Sequence, residues 1–237
     1  MYSRRQLQSI ARHYNKQFGT RINLDLNDTA LYKTLNRYMS CSVGSCLNVR
    51  SRKLDEVLKP LNPNKVNQWL SNLDIQAVMK EYEKLYDNFI FLGAVPLDFQ
   101  RIDQEVANFH LFQQPHDIVG IIFNTQPSTK SGQHWIALVI HRLHKTICFF
   151  DSYGNLPPRP VLNFIHKIHK QTVQHHTPYR IWMNRNRHQY GDTACGIYCL
   201  YFIVRQLQGF SCRSINCSVL SDKRVKEKAM ELFVKDA

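Results

Sequence analysis

The chain alternates between stretches whose apolar residues recur at helical spacing and short runs that are apolar throughout. Residues 4–18 place Leu7, Ile10, Ala11, Tyr14 and Phe18 at intervals of three and four, which predicts a helix. A second helix is expected over 28–39, with Asp28 as its N-cap. The segment "KPLNPNK" (59–65) breaks the pattern with Pro and Asn, and a boundary is set there. Helical spacing resumes over 72–88 through Ile75, Val78, Met79, Tyr82, Leu85 and Tyr86, and "FIFLGAVPLDF" then reads as a strand and loop.

The middle of the chain is strand-like. "DIVGIIFNT" (117–125), "HWIALVIH" (134–141) and "TICFFD" (146–151) are short and β-rich, and the short turn between the last two predicts an antiparallel hairpin. "SYGNLPPRP" is a loop. A helix is expected over 161–175 with Val161, Phe164, Ile165 and Ile168 on one face, then a strand over 178–184. From Cys195 to Gln208 the apolar positions run nearly all round a helix, so that helix is buried. A last helix is expected over 221–235. Strands and helices mix with adjacent antiparallel strands, so the fold class is α+β. The organisation is a helical arm, 1–65, before a core, 66–237.

Composition agrees with a packed core: 43% of the 237 residues are hydrophobic and 21% charged. No apolar run reaches the ~18 residues a membrane span needs, and "MYSRRQLQSIARHYNKQF" lacks the apolar core of a signal peptide. A soluble intracellular protein is the expectation. The seven scattered cysteines are then expected as thiols, not a disulfide framework.

Charge adds a partner class. The net charge is +13, unevenly spread: residues 1–65 carry 12 basic and 4 acidic side chains, and 66–128 reverse this with 3 and 8. So basic a chain is drawn to polyanions, nucleic acid first. The candidate contacts are Arg4, Arg5, Arg12, Lys16, Arg50, Arg52 and Lys53 in the arm, and Lys167, Lys170, Arg185 and Arg187 further on, beside His166, His169, His175 and His176. No stacking platform or groove-reading motif accompanies them, so sequence-independent, salt-sensitive DNA binding is expected. No metal site is expected. "CSVGSC" spaces Cys41 and Cys46 for zinc but lacks a second pair, as do Cys212 and Cys217, and no carboxylate joins the histidines.

Chemistry gathers at the element ends. His134 opens one strand and Asp151 closes the next, so the hairpin returns one towards the other. Cys195 opens the buried helix, where the dipole favours a thiolate. A histidine beside it would take the proton, a carboxylate behind would fix the imidazole, and Gln189, six residues upstream, would add an amide donor for an oxyanion. From these positions alone Cys195 is open between nucleophile and core. Cys199, one turn deeper among Tyr198, Leu200, Tyr201 and Phe202, is expected to pack.

Taken together, "GQHW" (132–135), Asp151 after a strand and "HQYGDTACG" (188–196) resemble the adenain/Ulp-type cysteine protease family, whose pattern is His-Trp, Asp or Asn, then Gln, five residues and Cys-Gly. "WLSNLDI" (69–75) resembles that family's Trp-Leu-Asn-Asp segment, with Ser71 and Asn72 in place of Asn-Asp. "HWIALVI" and "SYGNLPPRPV" are similar to stretches of the capsid-maturation proteases of large DNA viruses such as African swine fever virus. The resemblance covers roughly 66–210. It implies a papain-like, adenain-type core with a central mixed sheet flanked by helices, and a triad of Cys195, His134 and Asp151 with Gln189 in the oxyanion hole. Trp135 and Trp69 would wall a narrow tunnel for a Gly-Gly tail, with Gly196 at the substrate site. It further implies a cysteine endopeptidase acting on capsid or core precursors in the virus factory and virion, with no cofactor for the chemistry, activation by DNA or a peptide, and no membrane partner. The alternatives are a deconjugase of ubiquitin-like modifiers and a non-enzymatic, nucleic-acid-binding virion protein.

Overall fold

The computed structural model describes residues 21–38 and 68–232, together with Arg4, Leu7, Gln8, Ala11, Arg12 and Asn15. The chain divides into two compact units, Met1–Glu56 and Val57–Ala237. The boundary expected after residue 65 lies outside the described residues, as do Arg5, Lys16, Arg50, Arg52, Lys53, Cys41 and Cys46.

In the first unit, Arg4, Leu7, Gln8, Ala11, Arg12 and Asn15 are helical, and helix α1 spans Asp28–Tyr38. Its cap is Asn27, not Asp28: Asn27 Oδ1 accepts the Ala30 N–H at 2.9 Å, and its carbonyl accepts the Leu31 N–H at 2.8 Å. Asp28 is instead ion-paired with Arg4 at 3.1 Å, on the surface. Leu7, Ala11, Ile22, Leu31 and Leu35 form this unit's apolar cluster.

The second unit is built on a five-stranded sheet in the order β1-β2-β3-β4-β5. The strands are β1 (Phe89–Val95), β2 (Ile118–Asn124), β3 (Trp135–His141), β4 (Thr146–Phe150) and β5 (Arg180–Met183). β2, β3 and β4 pair antiparallel, and the two outer pairings, β1 with β2 and β4 with β5, are parallel. The sheet is therefore mixed. Helices cover both faces, which is why β2 and β3 read as unbroken apolar runs and not as alternation. On one face Val119, Ile121, Phe123, Ile136, Leu138, Ile140, Ile147 and Phe149 pack with α5 (Arg159–Gln174) through Val161, Phe164, Ile165 and Ile168. On the other lies α6 (Cys195–Leu207): Phe202 stacks on Phe150 with ring centroids 4.8 Å apart.

Helix α2 (Asn72–Leu85) starts with a capping box. Ser71 Oγ accepts the Asp74 N–H, and Asp74 returns a bond to the Ser71 N–H at 2.9 Å. Ser71, the departure from the Trp-Leu-Asn-Asp pattern, thus has a local structural role. The segment after β1 is not plain loop. It forms α3 (Phe99–Ile102), α4 (Gln104–Ala107) and a 3₁₀ turn (Leu111–Gln113), each too short for periodicity to reveal. Two more helices follow α6: α7 (Cys212–Cys217), unforeseen, and α8 (Asp222–Leu232).

One cysteine expectation is corrected. Cys148 of β4 and Cys212 of α7 form a disulfide, with Cα atoms 6.1 Å apart. Sixty-four residues separate them, so spacing carried no signal; only the packing of α7 near β4 brings them together. Cys195, Cys199 and Cys217 are thiols. Among the described residues no helix is long and apolar enough to cross a membrane, and no group of three or more His, Cys, Asp or Glu could hold a metal ion.

Candidate active site

The β3–β4 register positions the first two site residues. Ala137 stands opposite Phe150. Continuing that pairing past the strand ends puts His134 on the same face as Asp151, one diagonal step away. His134 Nε2 and Asp151 Oδ1 meet at 2.7 Å, both buried. Asp151 is itself held: its Oδ1 accepts the Tyr153 N–H at 2.9 Å, and its carbonyl accepts Asn184 Nδ2 at 2.7 Å and the Gly154 N–H at 2.8 Å. That turn requires glycine. Gly154 has φ +77°, and a Cβ there would lie 2.9 Å from the Arg185 carbonyl oxygen.

With Nε2 committed to Asp151, the other ring nitrogen of His134 is left for Cys195, which lies close enough to influence the ring. Burial opposes a charge on the imidazole. The hydrogen bonds to Asp151 and Cys195 and the charges of both outweigh it, pushing His134 up to about 9. At neutral pH the histidine therefore carries its proton beside the cysteine. Cys195 opens α6, whose N-cap residue, Ala194, supplies no side-chain bond. The first intrahelical bond runs from the Tyr198 N–H to the Ala194 carbonyl. The N–H groups of Cys195, Gly196 and Ile197 precede it and have no acceptor within the helix. Cys199 lies fully inside, where burial, and then the charges of Cys195 and Asp151, push its thiol well up, as suits a packing residue.

Gln189 is fixed from several sides. Its backbone N–H and that of His188 donate to the Ser152 carbonyl at 2.9 and 2.8 Å. Ser152 Oγ donates to Gln189 Oε1 at 2.6 Å, which turns the amide nitrogen towards the Gly191 carbonyl, 2.8 Å away. The second N–H of Nε2 has only a long contact, 3.4 Å, to the Tyr153 hydroxyl oxygen. That leaves it available to an oxyanion.

Trp135 is 6% exposed and donates its indole N–H to the Leu70 carbonyl at 2.9 Å; Trp69, next to Leu70, is 44% exposed. A Cβ on Gly196 would lie 3.1 Å from Leu70 Cβ. The missing side chain of Gly196 thus admits Leu70. Leu70 thus links the Trp135 indole to the residue that follows Cys195.

Tyr153 was missed from sequence, where it lay in a loop. Its ring stacks on His134 at 4.6 Å, and its hydroxyl donates to the Gly191 carbonyl at 2.9 Å. His188 was also passed over. It is buried against Phe150 and Tyr198, and burial pulls its imidazole down, so it packs as a neutral ring.

The basic residues do not form one set. Lys167 and Lys170 lie on α5, where Lys167 Nζ donates to the Ala107 carbonyl at 2.6 Å and Lys170 is exposed. Arg185 is exposed in the loop after β5. Arg187 does not join the α5 group. The chain turns back over Ser152, and its guanidinium lies against the rings of Tyr153 and Tyr190, at 5.4 and 4.8 Å, on the rim of the catalytic site. Arg4 is occupied by Asp28, and Arg12 is exposed.

Comparison with known proteins agrees with this geometry. The chain is 27% identical over 210 residues to a thiol protease of Acanthamoeba polyphaga mimivirus, covering 86% of this chain and 68% of that protein. It is 24% identical over 202 residues to the SUMO-1 cysteine protease of African swine fever virus, covering 77% and 74%. A crystal structure of an African swine fever virus protease superimposes with a TM-score of 0.66 at 21% identity, over 98% of this chain and 90% of that one, and so shares the fold. The expected fold class holds, and the non-enzymatic reading falls. A sequence model of the Ulp1 protease family, C-terminal catalytic domain, matches residues 98–237. The chain therefore belongs to the Ulp1 family of cysteine proteases.

Proposed function

We propose that this protease is an endopeptidase that processes capsid or core precursor proteins of a virus, cutting after Gly-Gly or Gly-Xaa. The observation that carries the reading is the His134–Asp151 pair beside Cys195 at the mouth of α6, with Trp135 tied to the same place through Leu70. The viral origin of the relatives supports the substrate class.

The chemistry follows from the atoms. With protonated His134 beside it, Cys195 Sγ attacks the carbonyl carbon of the scissile bond as a thiolate. The oxyanion lies against the first N–H groups of α6 and the second N–H of Gln189. As the C–N bond breaks, His134 passes its proton to the leaving amine, and the acyl group remains as a thioester. Neutral His134 then takes a proton from water, whose oxygen attacks the thioester. The carboxylic acid product leaves, and Cys195 and His134 regain the starting pair. Trp69 and Trp135 flank the approach, where a glycine backbone, lacking side chains, is thin enough to pass.

The relatives' name as SUMO-1 cysteine proteases favours a second reading, removal of a ubiquitin-like modifier by the same site. We further propose, from the net charge of +13, that duplex DNA binds the enzyme without sequence preference and concentrates it with substrate in the virus factory and virion. The test incubates the wild type and Cys195→Ala with capsid precursors and with a folded modifier carrying a Gly-Gly tail, and maps new N-termini by mass spectrometry. Precursor cleavage by the wild type alone supports the first reading, and cleavage of the modifier alone the second. Cleavage by both proteins refutes the nucleophile. A flat isotherm with duplex DNA at low salt refutes the DNA partner.

A further inference from the structure

Gly191 is held through both of its backbone polar groups. Its carbonyl accepts Gln189 Nε2 at 2.8 Å and the Tyr153 hydroxyl at 2.9 Å. Its N–H donates to Asp222 Oδ2 at 2.7 Å, and the same oxygen accepts the preceding N–H, from Tyr190, at 3.1 Å. Asp222 Oδ1 accepts the Tyr198 hydroxyl, also at 3.1 Å. Tyr198 lies in the first turn of α6, three residues after the nucleophile, and its hydroxyl also donates to the Leu220 carbonyl at 2.8 Å. An acidic residue in the first turn of a helix ordinarily serves that helix's own N–H groups. The carboxylate of Asp222 instead takes donors from the 190–191 loop and from α6.

We propose that Asp222, from helix α8, is a positioning residue for the oxyanion hole: its carboxylate holds the backbone N–H groups of Tyr190 and Gly191, and so places the loop whose Gly191 carbonyl anchors the amide of Gln189. The inference rests on the reading of Gln189 as an oxyanion donor. The argument is geometric. The two N–H groups that Asp222 holds fix the peptide planes on either side of Tyr190, so only the two backbone torsions of Gly191 separate that held stretch from the Gly191 carbonyl. That carbonyl is the anchor for one N–H of Gln189 Nε2, while Ser152 holds Oε1. With both anchors in place, the second N–H has one direction left, on the side of the Tyr153 hydroxyl, which it reaches only at 3.4 Å. Without Asp222, two adjacent N–H groups lose their shared acceptor and the 190–191 peptide is free to rotate. Gln189 then keeps Ser152 but loses its second anchor.

The experiment measures kcat and KM on a fluorogenic peptide ending in Gly-Gly for the wild type, Asp222→Asn, Asp222→Ala, Gln189→Ala and the double variant Gln189→Ala/Asp222→Ala. Removing one oxyanion donor is expected to lower kcat about 10²-fold, so Gln189→Ala should lie near that. Asp222→Asn and Asp222→Ala should lower kcat about 10-fold with KM within about twofold, since orientation and not substrate contact is lost. The double variant should be no slower than Gln189→Ala within about twofold, because Asp222 acts through the amide that is already gone. Alkylation of Cys195 by iodoacetamide, which builds no oxyanion, should keep the wild-type rate in both Asp222 variants, and this separates misplacement from unfolding. Multiplicative losses in the double variant, or slowed alkylation, would overturn the proposal. Loss in Gln189→Ala with none in either Asp222 variant would overturn it while leaving Gln189 in its role. Full kcat in Gln189→Ala would remove the underlying reading itself.

Discussion

Removing the carboxylate behind the histidine, in Asp151→Ala, should move the alkaline limit of the enzyme. In the intact site burial works against the imidazolium, and the hydrogen bonds and charges of Asp151 and Cys195 more than reverse it, to about 9. The net rise from 6.5 corresponds to roughly 3 kcal/mol in favour of the charged ring. Without Asp151 the largest remaining influence is burial, so the ring should fall towards 6.5 or below. At pH 7.5 a pKa of about 9 keeps roughly thirty protonated rings for each neutral one. At 6.5 the ratio turns to about one in ten. The protonated fraction thus falls about tenfold before any loss of ring orientation, which lowers kcat further. The assay is kcat/KM from pH 5.5 to 10, run beside iodoacetamide alkylation of Cys195 followed by peptide mass. The wild type should lose activity as pH rises through about 9, and Asp151→Ala should lose it at least two pH units lower. Asp151→Asn keeps an acceptor and should lie between the two. An alkaline limb that stays near 9 in Asp151→Ala would refute the idea that this pair sets the protonation of His134.

The same raised value has a stability consequence. Because the folded pKa exceeds the unfolded one, the contribution is complete below 6.5 and is lost as pH rises through about 9; urea melts of the wild type should weaken over that window by at most ~3 kcal/mol, and melts of Asp151→Ala should not. Gly196→Ala should destabilise by about 1–2 kcal/mol, read by thermal melting, because its methyl would press on Leu70 from 3.1 Å. Tyr153→Phe keeps the stacking on His134 but drops the bond to the Gly191 carbonyl, so it should retain more activity than Tyr153→Ala, which loses both. Reduction should add two hydrogens to the intact mass through Cys148 and Cys212, and Cys148→Ser should lower stability by roughly 4 kcal/mol for a loop of this length.

Much of the catalytic geometry was open to reading because it sits where periodicity changes. His134 and Asp151 mark the ends of a hairpin, and Cys195 marks the first residue of an apolar helix. Each is defined by a local pattern, and the register of two strands turns that pattern into proximity. What escaped the reading depends on contacts between distant segments. Tyr153 looks like a turn residue until the hairpin places its ring on His134. Asp222 looks like an ordinary helix-opening acid until α8 packs against α6. Cys148 and Cys212 are sixty-four residues apart. Asn27 and Asp28 are both good cap residues one position apart, and only hydrogen-bond geometry separates them. α3, α4 and α7 are a turn or so each, and their apolar residues are too few to show a period.

These differences in support imply a division of labour between the two halves of the site. His134 and Asp151 flank strands buried on both faces, and a one-residue slip of β3 against β4 would turn every core side chain of the strand to the wrong face. The catalytic pair is thus over-determined by the same packing that holds the fold, and a sequence that folds will position it. Cys195 is similarly carried by a helix that is buried almost all round. Gln189 has no such backing. It lies in a loop, and what orients its amide is the bond that Ser152 donates to its oxygen and the bond that its nitrogen donates to the Gly191 carbonyl, in a loop tied to Asp222. Each such bond contributes only about 1 kcal/mol to net stability, yet misplacing an oxyanion donor costs several kcal/mol of transition-state stabilisation. Substitutions in this cluster should therefore separate kcat from thermal stability, whereas substitutions beneath His134 and Asp151 should lower both together. On the proposed mechanism the Gln189 loop is accordingly the part of the enzyme where activity can be tuned, by sequence change or by a bound partner, at little cost to the fold.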